Sequence, residues 1–164
     1  MDFLLVMILM IFGNTFIPEI HEDATVLSKL IHHEARGEVI IGKSWINNDG
    51  LRGVAEVVLN RAYSSKFPNT IIDVALQPHQ FTGFDPNSYG LFCGEKDTCI
   101  QENEYRLALE YVILYEKNQN TGLTSNSDHY YATYLDEEDK TPYWESSMTH
   151  VRTIGNHKFY RSKK

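Results

Sequence analysis

Apolar residues recur every three or four positions in several segments of the chain, the spacing that is typical of amphipathic helices. The first such helix has its apolar positions at Val26, Leu27, Leu30 and Ile31. Asp23 or Thr25 suits its N-cap, and Gly37 suits the left-handed residue that ends a helix. Similar patterns predict helices over 51–62, 71–76 and 101–117, the last of which is predicted to bury Tyr105, Leu109, Val112 and Ile113.

The last third of the chain has a β pattern instead. Residues 129–134 (HYYATY) favour a strand, and 151–154 and 157–160 predict two strands on either side of a Gly155-Asn156 turn. Segments rich in Gly, Asn and Asp predict loops at 42–50, 81–98 and 122–128. The order of these elements predicts an α+β fold that is mainly helical, with a small antiparallel β element near the C-terminus.

The N-terminus is an unbroken apolar run, FLLVMILMIF, over residues 3–12. Because about 20 apolar residues are needed to span a bilayer, this run is closer to the apolar region of a signal peptide. A positive N-terminal region and an Ala-x-Ala cleavage site are both missing. The apolar run still favours export. We predict that residues 1–17 are a signal peptide or an uncleaved N-terminal anchor, with membrane association through residues 3–17. A buried helix of the domain is the alternative.

Residues 18–23 are then predicted to be a linker, residues 24–161 a single folded domain, and residues 162–164 a basic tail. The 164-residue chain is 42% hydrophobic and 12% aromatic, which is enough to form a core. Its net charge of −7 argues against a nucleic-acid partner, because such binders usually present a basic face. Four basic residues near the C-terminus are interpreted as a solvated tail: Lys158, Arg161, Lys163 and Lys164. We expect a monomer.

The two cysteines, Cys93 and Cys99, are separated by the polar stretch GEKDT. In an exported protein, this pair is predicted to close a small loop as a disulfide. Two free thiols are the alternative. A structural zinc site needs about four ligands, so this pair alone does not predict one.

Glu34 is the candidate for acid catalysis, because it continues the apolar stripe of the first helix. It follows Leu27, Leu30 and Ile31 at helical spacing, in the last turn of the predicted helix. Burial and the negative end of the helix dipole both disfavour an ionised carboxyl, and the general acid of glycoside cleavage needs such an environment. Glu38 lies beyond Gly37 and off the stripe. The alternative for Glu34 is a structural carboxylate paired with one of three arginines: Arg36, Arg52 or Arg61.

Five short segments extend this picture when they are taken together. They are HEARGE (33–38), GVAEVVLNR (53–61), FPNTI (67–71), QPHQF (77–81) and IGNHKFY (154–160). In this order they resemble the cell-wall hydrolase family that includes the spore cortex-lytic enzymes and several phage lysins. The resemblance covers about Val26 to Tyr160, and although each segment alone is a weak signal, five in order are specific.

The resemblance implies a lysozyme-like fold that acts on peptidoglycan without a metal or cofactor. The Glu of its Glu-Ala-Arg-Gly-Glu motif falls on Glu34, which would protonate the glycosidic oxygen of strands of N-acetylmuramic acid and N-acetylglucosamine. Residues 24–161 would then be the catalytic domain. The predicted substrate-binding residues are Glu38, Gln80, Phe81, Tyr130, Tyr131, Asn156 and His157. Spore members of the family act as lytic transglycosylases, in which a hydroxyl of the substrate replaces water.

The chain differs from typical members between Glu38 and Gly53, where it is several residues longer and adds Trp45. A segment rich in tyrosine could stack on sugar faces, although ordinary core and surface aromatics are the alternative. This segment contains Tyr130, Tyr131, Tyr134, Tyr143 and Trp144.

A hydrolytic glycosidase needs a second carboxylate, about 5–9.5 Å from the first. The sequence offers four candidates and does not choose among them: Glu38, Glu56, Asp85 and Asp128. Because no second carboxylate can be chosen, lytic transglycosylation by a single Glu is favoured over hydrolysis.

Two other classes of function stay open at the level of the sequence. A metal-dependent amidase or peptidase could use histidines, of which the candidates are His32, His33, His129, His150 and His157. Against it, the adjacent His32 and His33 point to different sides of a helix, and no His-Glu-x-x-His motif exists. A non-catalytic, membrane-tethered glycan-binding module is the other class.

Overall fold

The computed structural model describes residues 18–35, 49–93 and 99–163. Several predicted features lie outside the described residues: the apolar run at 3–12, the helix end at Gly37, the last residue of the basic tail, Glu38 and Trp45. In the part of the chain that is described, no helix combines the length and the apolar character needed to cross a membrane.

Five α-helices contain just under half of the described residues. They are α1 (18–35), α2 (Asp49–Ala62), α3 (Ile71–Ala75), α4 (Glu102–Glu116) and α5 (Tyr134–Glu137). The predicted positions of α2, α3 and α4 are confirmed to within two residues. The hydroxyl of Thr70 caps α3 by accepting a hydrogen bond from the backbone N–H of Asp73.

The linker predicted over residues 18–23 is wrong, because these residues are helical. Ile20 and Ala24 extend the buried stripe of α1 by one turn at helical spacing, and both belong to the core. The polar residues between them, such as His21 and Glu22, face solvent. The exposed side of an amphipathic helix was thus mistaken for a linker.

The core lies among α1, α2 and α4. Leu27, Leu30 and Ile31 of α1 are fully buried, as predicted. In α4, Leu109 and Val112 are buried as predicted, but Tyr105 and Ile113 are only half-buried. The buried face of α4 is instead centred on Glu104, Leu107, Ala108 and Tyr111, and the carboxylate of Glu104 lies 2.7 Å from Nδ1 of the buried His32.

The segment predicted as a long surface loop, 81–98, is described as far as Cys93 and contains more structure than expected. It includes a 3₁₀ turn (Pro86–Ser88) and a short strand β1 (Gly90–Leu91), which pairs in parallel with β2 (Cys99–Ile100). Cys93 and Cys99 are joined by a disulfide with a Cα–Cα distance of 5.5 Å. Lys29 of α1 donates a hydrogen bond to the carbonyl of Pro86, which attaches this segment to the first helix.

The C-terminal element is a three-stranded antiparallel sheet in the order β3-β5-β4. Its strands are β3 (His129–Ala132), β4 (Met148–Ile154) and β5 (His157–Ser162). The predicted turn between β4 and β5 is confirmed, and Gly155 adopts a positive φ of 56° there. The strand β3 ends two residues earlier than predicted, because Tyr134 begins α5. The sheet approaches α2 so closely that the ring of Phe159 occupies the space of a side chain at Gly53.

Candidate active site

A cleft of about 660 Å³ opens beside the last described turn of α1. Its walls are α1, the segment after α3, the strand β3, the helix α5 and the segment 142–144. The lining residues are His33, Glu34, Arg61, His79, Gln80, Thr82, His129, Tyr130, Tyr131, Ala132, Tyr134, Leu135, Pro142, Tyr143, Trp144 and His157. The cleft therefore lies between the helices α1 and α2 and the C-terminal sheet.

Glu34 lies in this cleft with 19% of its side chain exposed. The hydroxyl of Tyr130 donates a hydrogen bond to its Oε2 atom at 3.0 Å. Its other oxygen, Oε1, lies 3.8 Å from Nε2 of His33. The carboxyl is thus held at one oxygen by a strand that is distant in sequence, while part of its surface faces the cleft.

Burial raises the pKa of Glu34 above its ordinary value of 4.5, because a charged carboxylate loses hydration there. The hydrogen bond from Tyr130 and the positive charges of His33, His157 and Arg61 oppose this effect without reversing it. Burial and the nearby Glu34 raise the pKa of Tyr130 well above its ordinary value. Glu34 therefore keeps its proton to a higher pH than a solvated glutamate, and Tyr130 remains a hydrogen-bond donor.

His33 is held by two hydrogen bonds to the segment that carries Thr82 and Tyr89. Its Nε2 lies 3.0 Å from the carbonyl oxygen of Thr82, and its Nδ1 lies 2.6 Å from the hydroxyl of Tyr89. Since a carbonyl oxygen only accepts, the Nε2 atom of His33 carries a hydrogen and donates it to Thr82. The hydrogen on Nε2 of His33 is therefore committed to a backbone carbonyl.

Arg61 of α2 lines the cleft, although its side chain is buried. Its guanidinium lies 5.2 Å from the ring centre of Phe67 and 5.1 Å from that of Phe81, and its Nε donates to the carbonyl of Asp128 at 2.7 Å. Among the described residues, no arginine nitrogen is hydrogen-bonded to Glu34. The guanidinium of Arg61 therefore acts on Glu34 through its charge.

The other two arginines considered as partners of Glu34 do not provide one in the described structure. Arg52 forms two hydrogen bonds with the carboxylate of Glu110, and Arg36 lies outside the described residues. Within the described residues, neither Arg52 nor Arg61 is ion-paired with Glu34.

Four of the predicted substrate-binding residues line the cleft together with Glu34: Gln80, Tyr130, Tyr131 and His157. The structure differs from the prediction for Phe81 and Asn156, which do not line it. Phe81 is buried in the core against Arg61, and Asn156 lies in the turn between β4 and β5, where its carbonyl accepts from the backbone of Thr133. Two adjacent residues of the QPHQF segment thus have different surroundings, since Gln80 lines the cleft and Phe81 lies in the core.

Arg61 and His79 also line the cleft, although neither was predicted to do so. Arg61 was considered only as an ion-pair partner of Glu34, and it is buried in the last turn of α2. A charged residue on a buried helix face is the signal that could have identified it, because such a charge needs a compensating environment. No comparable signal marks the exposed His79.

Three of the candidates for a second carboxylate are engaged away from the cleft. The fully buried Glu56 accepts from the backbone N–H groups of Leu123 and Thr124. Asp85 caps the 3₁₀ turn at Asn87. Burial would raise the pKa of Asp128, but hydrogen bonds from its neighbours lower it to about 2. Within the described residues, Glu34 is the one carboxyl group that lines the cleft.

The neighbours of Asp128 and the remaining histidines show what these polar groups do. Asp128 accepts from the hydroxyl and backbone N–H of Ser162 and lies 3.0 Å from Nδ1 of His129. His32 is buried against Glu104, and His150 is exposed on β4. In the described ranges, no three His, Cys, Asp or Glu residues form a group that could hold a metal ion.

Comparison with known proteins identifies the family. A family model described as Cell Wall Hydrolase matches residues 47–160. The chain belongs to this family. Glu34 lies before the matched residues, so its assignment depends on the geometry of the cleft and on the sequence pattern rather than on this match.

Two similar proteins of the family are spore cortex-lytic enzymes from Bacillus cereus, each 35% identical over 60 residues. The aligned region is 37% of this chain and 20% of each enzyme, so the chain spans about a fifth of the length of these curated relatives.

Two solved structures share the fold of this chain. The catalytic domain of the SleB protein from Bacillus cereus matches with a TM-score of 0.57, covering 85% of this chain and 89% of that one. The catalytic domain of the germination-specific lytic transglycosylase SleB from Bacillus anthracis matches with a TM-score of 0.53, covering 85% and 93%. Both are 23% identical to this chain. The predicted α+β, mainly helical fold is confirmed, and these two catalytic domains share it.

Proposed function

We propose that this chain cleaves the glycan strands of peptidoglycan, with Glu34 as the general acid. The observation that carries the proposal is the state of that carboxyl group. It is mostly buried, its pKa is raised, and it still faces a cleft large enough for sugar rings. A carboxylic acid that keeps its proton towards neutral pH is what the protonation of a glycosidic oxygen requires.

The first step transfers the proton of Glu34 to the glycosidic oxygen. The bond between that oxygen and C1 of the sugar then breaks, the leaving sugar keeps the proton as a hydroxyl, and positive charge develops at C1. Glu34 is left as a carboxylate that accepts the hydrogen bond of Tyr130. The nearby positive charge of Arg61 also favours that ionised form.

For the second step we propose lytic transglycosylation. The C6 hydroxyl of the same muramyl residue attacks C1 and returns its proton to Glu34, which closes a 1,6-anhydro ring and regenerates the acid. The support is that Glu34 is the one carboxyl lining the cleft in the described part of the chain, whereas hydrolysis needs a second carboxylate to activate water. One of the structural relatives is named a lytic transglycosylase, which agrees with this route.

The rim of the cleft fits a carbohydrate substrate. Tyr143 is 95% exposed and lies beside Pro142 and the half-buried Trp144. An exposed ring at the mouth of a cleft offers a face on which a sugar ring can pack. Such a substrate lies outside the cytoplasmic membrane, so the proposal includes export, and the apolar run at the N-terminus is the segment assigned to that step.

Product analysis tests the proposal directly. Purified peptidoglycan is digested with the enzyme, and the soluble fragments are analysed by mass spectrometry, with Glu34→Gln as the matched inactive control. Anhydro-muramyl ends are expected, they should be missing from the control digest, and a chelator should not reduce their yield. Muropeptides with new reducing ends would instead establish hydrolysis. Freed peptides without glycan cleavage would establish an amidase and refute the proposal.

A further inference from the structure

Tyr130 is the described residue that forms a hydrogen bond with Glu34, and it comes from a strand 96 residues later in the chain. Its ring is fixed by two neighbours on β5, with centroid distances of 5.5 Å to His157 and 5.8 Å to Phe159. We propose that Tyr130 is a positioning residue that selects the Oε1 atom of Glu34 as the proton donor and stabilises the carboxylate after the proton has left. This inference rests on the proposed function and assigns Tyr130 a role other than contact with substrate.

The choice of oxygen follows from the direction of the hydrogen bonds. The hydroxyl of Tyr130 donates a hydrogen bond to Oε2 of Glu34, so Oε2 is the carboxyl oxygen that accepts rather than donates. Nε2 of His33 lies 3.8 Å from Oε1 of Glu34, but its hydrogen points to the carbonyl of Thr82. Within the described residues Oε1 has no hydrogen-bond partner, which leaves it to carry the proton that faces the substrate.

The same hydrogen bond has a different strength before and after proton transfer. A hydroxyl that donates to a neutral acid forms an ordinary hydrogen bond, whereas one that donates to a carboxylate forms a charge-assisted bond that is about twice as strong. The contact therefore strengthens as Glu34 loses its proton. An interaction that is stronger in the transition state than in the ground state accelerates the reaction, which distinguishes this role from a purely structural one.

Among the described residues, three other groups act on Glu34 from the elements that surround it: His33 on α1, Arg61 on α2 and His157 on β5. All three act on its ionisation through positive charge, and none donates a hydrogen bond to it among the described residues. Removal of the hydroxyl of Tyr130 leaves these charges in place. The variant Tyr130→Phe therefore isolates the hydrogen bond, and it keeps the ring that packs against His157 and Phe159.

The test compares Tyr130→Phe with Tyr63→Phe, which also removes a hydrogen-bonded hydroxyl. The hydroxyl of Tyr63 donates to the carbonyl of Gln119 at 2.9 Å, and Tyr63 does not line the cleft. Two measurements are made on each protein: the titration of the Glu34 side-chain carboxyl by carbon-13 NMR, and the dependence of kcat and KM on pH with peptidoglycan fragments.

In Tyr130→Phe, the Glu34 titration is expected to move to higher pH, because the carboxylate has lost a stabilising hydrogen bond. The alkaline limb of the rate profile should move with it. At the plateau, kcat should fall about 10- to 100-fold with little change in KM, the cost of an acid that is no longer aligned. Tyr63→Phe should change none of these quantities.

Two outcomes overturn the inference. One is a Glu34 titration and a kcat that are both unchanged in Tyr130→Phe. The other is a lower kcat with the titration and the alkaline limb unmoved, because that pattern shows a structural effect only. If the wild-type enzyme cleaves no glycan, the proposed function fails instead, and the NMR titration still decides whether Tyr130 stabilises the carboxylate of Glu34.

Discussion

Replacement of Glu34 by glutamine removes the transferable proton and keeps the shape of the side chain. The amide oxygen of glutamine can still accept the hydrogen bond of Tyr130, so the contact between α1 and β3 should survive. Loss of a positioned general acid costs about 10²–10⁴ in rate. This range corresponds to about 3–5 kcal/mol in the activation free energy.

Glu34→Gln should lower the activity, but at neutral pH it should not lower the free energy of unfolding. In the folded protein the pKa of Glu34 is raised above 4.5, whereas in the unfolded chain the carboxyl ionises near its ordinary value. The unfolded state therefore releases this proton first, and folding stability falls as the pH rises from about 4.5 through the folded pKa. Glutamine does not titrate. Glu34→Gln should be at least as stable as the wild type at neutral pH, and its advantage should disappear below 4.5.

The assay pairs turnover on peptidoglycan with urea unfolding at a pH on each side of that value. Glu110→Gln is the matched control, because it makes the same change at an exposed carboxylate that pairs with Arg52 outside the cleft. This control should keep full activity. Glu38→Gln should cost much less than Glu34→Gln, unless Glu38 is the second carboxylate. A folded Glu34→Gln enzyme with near-normal activity beside an inactive Glu38→Gln would refute the assignment and transfer the role to Glu38.

Three further outcomes are expected. Deletion of the residues through Ile17 should leave a soluble, active enzyme, and loss of the folded circular dichroism spectrum would show that the apolar run belongs to the core. Thiol titration of the unreduced, denatured protein should find no free thiol, and replacement of Cys93 or Cys99 by serine should cost about 2–3 kcal/mol without preventing folding. Two reactive thiols in protein from an oxidising compartment would exclude the disulfide. Tyr143→Ala should weaken glycan binding several-fold with unchanged urea unfolding, because its ring is 95% exposed at the cleft; equal affinity, measured by titration calorimetry, would exclude stacking.

The helices could be predicted because their pattern is local. The stripe Leu27, Leu30 and Ile31 is visible without any knowledge of the rest of the chain, and all three residues are buried. The first turn of α1 was missed because the solvated side of an amphipathic helix has the composition of a linker. The buried face of α4 was predicted only in part, because the periodicity of apolar residues does not indicate a buried polar residue such as Glu104, which pairs with His32 in the core.

The candidate site could be predicted only in part, for the same reason. Glu34 was chosen as the candidate acid because it continues the apolar stripe of its own helix, and it lines the cleft. Its contact with Tyr130 joins residues 96 positions apart, and no local pattern indicates such a pair. Arg61 was not predicted to be buried, and its position at the cleft depends on how α2 packs against the segment that carries Phe81. Adjacent residues such as Gln80 and Phe81 separate at a turn whose direction the sequence does not indicate.

The origin of the raised pKa of Glu34 has a consequence for substrate binding. In some enzymes a neighbouring carboxylate keeps an acid protonated, and that effect exists before substrate arrives. Among the described groups that act on Glu34, none raises its pKa, and burial is the effect that does. Burial increases when a ligand excludes water from a cleft. A glycan bound between Glu34 and the aromatic rim should therefore raise the pKa of Glu34 further, so that substrate binding itself keeps the proton in place until the glycosidic oxygen accepts it.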